Sequence, residues 1–148
     1  MMSSQMSAKC TLWVNRFLAA AMVALCFFLY DLLVWYSTLR HLSWQVCAAI
    51  MAGFYLCTPA VCYALWCIEK LIRNILKSEV FILPNVRCIR YIRWCCAWVS
   101  LVCLVTGILY QPLLFLAVIM AFLALVVSVV KNVMAAAVEL REENDLTV

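Results

Sequence analysis

The stretch LLFLAVIMAFLALVVSVV, residues 113–130, runs for eighteen positions without a charge, and Ser128 is its one polar side chain. A bilayer's hydrocarbon takes about 20 apolar residues of helix to cross. Lipid offers no hydrogen bonds to a bare backbone, so such a segment must satisfy itself as an α-helix. Pro112, directly before it, disfavours helix at Gln111 and suits the first turn of a new one. The segment sets the class: all-α, integral membrane.

Three further runs of the same kind precede it, at about 17–36, 44–68 and 94–110. The whole chain is 70% hydrophobic and only 12% charged, where soluble proteins carry about 25% charged residues. Its mean hydropathy is +1.08. Four spans use most of the 148 residues, so a single four-helix transmembrane domain over 1–148 is expected, with no separate soluble part. STLRHLS joins spans one and two, and little more than YQP joins three and four. Both pairs are therefore expected as antiparallel hairpins. The bulky LVWYSTLR after the first run lacks the small residues of a signal-peptide cleavage site, so the first span is expected to stay.

Orientation follows from charge. Residues 69–93 carry Lys70, Arg73, Lys77, Arg87, Arg90 and Arg93 against Glu69 and Glu79, a net of +4. Cytoplasmic loops collect lysine and arginine. With this segment inside, four spans put both termini inside, along with Lys9, Arg16, Lys131 and Arg141, and leave only Arg40 outside. Trp13, Trp66 and Trp94 then fall near the inner interface, and Trp35, Trp44 and Tyr110 near the outer, as interfacial aromatics should. The expected location is the cell membrane, multi-pass. Basic residues at span edges are explained by orientation, so direct nucleic-acid binding is not expected.

Span two is expected to continue through IEKLIRNILK, with Ile68, Leu71, Ile72, Ile75 and Leu76 on one face opposite Lys70, Arg73, Asn74 and Lys77. That face needs headgroups or another helix against it. Span four is expected to project likewise through KNVMAAAVELREE. Small residues let helices approach closely in lipid, and Ala20 and Ala24 on span one, with Ala117, Ala121 and Ala124 on span four, are read as packing seams. Pro59 predicts a kink in span two.

Few residues could carry chemistry. Asp31 is the one acid inside a span, and an intramembrane carboxylate is a functional-site hypothesis by default. It also lies only about 7 Å from the outer interface. Two readings stand: a plain interfacial acid, or a ligand or proton site formed with Arg40 and His41. A transporter or sensor would use the latter. One histidine cannot make a zinc site alone, and Cys57, Cys62 and Cys67 step about 140° around the helix each time, so no metal or cofactor is expected. Cys95 and Cys96, with Cys10 and Cys67, are acylation candidates set against packing as small hydrophobes. No nucleophile–base pair, glycine-rich phosphate loop or paired carboxylate falls in a span, so the chain is not expected to be an enzyme.

The stretch VFILPNVRCIRYI and the ending ELREENDLTV resemble a bacterial membrane family catalogued as a domain of unknown function, with YoaS-like proteins among its members. The matching positions are Phe81, Asn85, Ile89 and Arg90, then Leu140, Glu143, Asp145, Leu146, Thr147 and Val148, in an ending of the form L-x-x-E-x-D-L-T-[VI]. Val80 and Ala137 depart from a proline and a glycine often found there. The resemblance implies four spans, and genes that neighbour a small Cro/CI-type helix-turn-helix regulator, hence a cytoplasmic partner of that kind or another membrane protein. A second copy of the chain is a further candidate partner beside the lipid bilayer.

The tail, residues 139–148, sums to −3 in its side chains. One reading docks it on the basic central segment or a basic partner, with Glu142, Glu143 and Asp145 supplying charge and Leu146 and Val148 apolar anchors. The other is a solvated helix end, since an exposed ion pair contributes only about 0–1 kcal/mol. The expected function is that of a regulatory or interaction protein of the membrane.

Overall fold

The computed structural model describes residues 2–77 and 82–146, with side chains described over 6–77 and 82–144. It contains four helices: α1 (Met2–Arg40), α2 (Trp44–Leu76), α3 (Leu83–Gly107) and α4 (Pro112–Leu146). Each is long and apolar enough to cross a membrane. At 1.5 Å per residue, the 39 residues of α1 reach about 58 Å and the 35 of α4 about 52 Å. Both exceed the ~30 Å of hydrocarbon, so they project well beyond it.

Helix α1 packs on α2, α2 on α3 and α3 on α4. Side-chain donors on one helix bond backbone carbonyls of its neighbour in each pair. Asn15 reaches Leu65 and Tyr55 reaches Cys26 between α1 and α2, Trp98 reaches Leu56 between α3 and α2, and Ser100 reaches Ala117 between α3 and α4. Helix α3 is the most enclosed, with 28% of its most apolar window buried against 6% for α4. Its Val99 and Cys103 form the core with Ala117, closed over by Cys57, Ala60, Val61 and Met120.

Ala117, at 2% exposure, is a packing residue as expected. The expected seam at Ala20 and Ala24 is not, and Ala121 leaves the seam too: all three are exposed. The inward side of α1 is instead Asn15, Ala19, Met22, Cys26, Leu29, Leu33 and Tyr36, an alternation of four- and three-residue steps that keeps one stripe of a helix against a neighbour. Alanine sits as comfortably against lipid as against a helix, so its presence alone does not choose the side.

The basic segment 69–93 is less of a loop than its charge suggests. Helix α2 runs unbroken through Pro59 to Leu76, and α3 begins at Leu83 with Pro84 in its first turn, where a missing amide hydrogen costs nothing. On the apolar face of the α2 extension Ile72 turns inward, 6% exposed, while Ile75 stays 40% exposed.

The turn between α1 and α2 is closed by backbone geometry. His41 holds φ 50°, and the Leu42 N–H donates to Ser37 O at 3.3 Å. A left-handed residue followed by a bond five residues back is the Schellman arrangement that satisfies a helix's last carbonyls.

Candidate functional site

Polar side chains gather at one end of the bundle and tie three helices together. Asn15, only 5% exposed, donates from Nδ2 to Leu65 O at 3.1 Å. One turn on, Glu69 accepts from Arg16 of α1 at 3.2 Å and from Arg73 of its own helix at 2.5 Å. Glu69 falls just past the ~20 residues of α2 needed to span. Hydrogen bonds from Arg73, then Arg16, hold its carboxyl below the usual carboxylate range.

Farther along, Asn74 Nδ2 donates to Asn85 Oδ1 at 2.6 Å, joining the α2 extension to the first turns of α3. Asn85 is fully enclosed, and its neighbours Val86, Cys88 and Ile89 are buried with it. A buried amide needs its bonds met, and Asn74 meets one of them. Asn85 thus acts between helices rather than as an outward contact. At this end of the chain's helices Arg87 and Arg90 on α3 and Glu139, Glu142 and Glu143 on α4 are exposed, together with the apolar Ile75 and Leu83. Leu140 is also exposed, at 67%, while Val138 is buried at 5%. Glu143, Asn144 and Asn85 each take part in at least one further interaction. Phe81 and Val148, with the side chains of Asp145 and Leu146, lie outside the described residues.

At the opposite end the Tyr36 and Tyr110 hydroxyls stand 2.6 Å apart and link α1 to the α3–α4 turn. Asp31, Arg40 and His41 are not brought together there. Asp31 is exposed, sits off the inward stripe of α1, and makes no ion pair or hydrogen bond among the described residues. His41 serves the helix end through its backbone.

Between the helices lies a cavity of about 220 Å³, lined from α1 by Met22, from α2 by Gly53 and Cys57, from α3 by Cys103 and Thr106, and from α4 by Leu113. Its one hydroxyl, on Thr106, is spent on Val102 O at 2.8 Å. Asp31 does not line it. All ten cysteines are free thiols, and no group of three or more metal-ligating side chains gathers among the described residues. Cys67, at 1% exposure, is closed to an acylating enzyme. Cys95 and Cys96 are half-buried.

A family model described as "Protein of unknown function (DUF2975)" matches residues 16–148. The chain belongs to this family. No curated protein and no solved structure matches it. In this DUF2975 protein the match takes in all three polar links of the clasp except Asn15 itself, and it runs on through the acidic last turns of α4. Sequence reasoning passed over Asn15, Glu69 and Asn74 as site residues. For Asn15 the available signal was a polar side chain where the helix face is otherwise apolar; Asn74 offered none, since it shares a face with Lys70 and Lys77.

Proposed function

We propose that this DUF2975 protein is a non-catalytic regulatory or interaction protein of the membrane, built as two antiparallel hairpins with both ends in the cytoplasm. It belongs, on this reading, among the YoaS-like members that share its ending, and it presents its charged end to a soluble partner. A small helix-turn-helix regulator is the partner suggested by the resemblance. One observation carries the reading: the clasp of Asn15, Glu69, Asn74 and Asn85 braces the end of the bundle that leaves Arg87, Arg90 and the α4 acids exposed. Bracing a charged end in this way costs buried polar groups, and a recognition surface is what such rigidity serves. The inside placement is supported by ten of eleven basic residues falling toward that end, with Arg40 near the Tyr36–Tyr110 link at the other.

The rival reading, a transporter or sensor working through Asp31, gains no support from the apolar cavity, which Asp31 does not line. Co-purification from native membranes tests the choice. The partner should be retained by Asp31→Asn and lost from Arg90→Glu and from the chain lacking its last seven residues. Retention by the shortened chain, or a reporter fused after Val148 that works only on the outer face, would overturn the proposal.

A further inference from the structure

On the lipid-facing side of α3 and α4 runs a groove of about 660 Å³, within the roughly 300–1,000 Å³ of ligand pockets. Small side chains make its floor: Ala97 and Ser100 from α3, Ala121 and Ala124 from α4. The Ser100 hydroxyl donates to Ala117 O at 2.8 Å, so the floor keeps no free donor and suits only apolar chain. At one mouth the character changes. Arg93 and Trp94 stand there with Ser128, the guanidinium 5.4 Å over the Trp94 ring.

The bond from Ser100 to Ala117 fixes the register of the two helices. Counting back along α3 and forward along α4 brings Arg93 and Ser128 to within about one helical turn, roughly 6 Å, in height. Arg93 has no carboxylate partner among the described residues. From Arg93 to Leu104, at the far end of the groove, is about 16 Å along the helix. That is close to half of the ~30 Å hydrocarbon, the depth of one leaflet.

We propose that this groove binds one anionic glycerophospholipid, its phosphate on the Arg93 guanidinium and the Ser128 hydroxyl and an acyl chain lying along Ala97, Ala121 and Ala124. A cation at the mouth, a leaflet's depth of small apolar floor and an interfacial tryptophan between them match the three parts of such a lipid in order. A helix from a second copy fits less well, because it would cover the guanidinium without neutralising it.

The test uses the full chain purified in neutral detergent, with bound lipid counted by native mass spectrometry after adding phosphatidylglycerol or phosphatidylcholine of the same chain length. One phosphatidylglycerol should remain per chain, preferred about fivefold, the factor one basic side chain contributes near an anionic headgroup. Arg93→Gln should bring the preference close to one while lipid still binds. Ala121→Leu, at an exposed position where the fold tolerates bulk, should remove both lipids. Lys9→Gln, on α1 and away from the groove, should change neither. An unchanged preference in Arg93→Gln, or undiminished lipid in Ala121→Leu, overturns the assignment. So does a lipid-free wild type, and if that species is a dimer which Ala121→Leu separates, the groove belongs to a second copy instead.

Discussion

Replacing Asn85 with alanine tests the clasp directly. The Asn85 side chain is fully enclosed and accepts the Asn74 amide at 2.6 Å. Alanine removes the acceptor and leaves the Asn74 donor without it, a loss of about 1–3 kcal/mol for a buried polar group. A hydrogen bond between helices inside lipid averages only about 0.6 kcal/mol, because the separated helices find other partners there. Asn74 lies six residues past the end of the apolar run of α2, so the larger figure governs. The assay is unfolding in mixed micelles by increasing denaturing detergent, followed by helical signal, for wild type, Asn85→Ala, Asn74→Ala and the double variant. Contacting partners should show a coupling of about 0.5–3 kcal/mol. Costs in the two single variants that simply add would mean that the amides do not work as a pair, and the reading of the clasp would fail.

Gly53→Ala should destabilise by about 1–3 kcal/mol, the usual cost of overpacking, because a Cβ there would stand 2.9 Å from Thr106 Oγ1; Thr106→Ala in the same chain should recover most of it in the same unfolding assay. His41→Gly should raise stability by up to about 1 kcal/mol, since glycine accepts a left-handed φ without the penalty histidine bears. A loss of stability would show that the imidazole itself matters. The depressed Glu69 carboxyl supports the fold above its unfolded range and loses that contribution as pH falls through its lower folded value. Glu69→Gln should therefore flatten the acid side of the stability profile and leave the neutral side lowered, as read by unfolding midpoints from pH 3 to about 7. Asp31→Asn should leave the midpoint unchanged in detergent, because the Asp31 side chain is exposed and makes no bond among the described residues.

The number of helices was legible because hydrocarbon thickness sets one length scale, and four runs meet it. Pro112 marked the start of α4 to the residue, and the inward turn of Ile72 followed from the spacing of apolar residues in the α2 extension. The start of α3 was hidden, since Arg87, Arg90 and Arg93 dilute the hydropathy of its first three turns, although Pro84 carries the signal of a helix beginning. The packing side of α1 could not be read from alanines that lipid and protein accept equally. Its trace was the pair of polar residues, Asn15 and Tyr36, at the two ends of one alternating stripe. His41 drew attention as chemistry because it is the one histidine, and its contribution is a backbone angle that composition does not reveal.

In lipid no hydrophobic gain draws one helix to another, so shape and polar bonds decide which contacts last. Helices α3 and α4 are joined by a four-residue turn, and a Cβ on Gly107 would meet Leu114 at 2.7 Å. They approach along their length and behave as one unit. Helix α1 is held differently: among the described residues it packs on α2, through Asn15, Arg16 and Tyr55, and its hydrogen bond to the α3–α4 turn comes from the Tyr36 hydroxyl. Met22 of this least-tied helix also closes one side of the apolar cavity. Any motion that opens the cavity to the bilayer therefore breaks fewest contacts by moving α1.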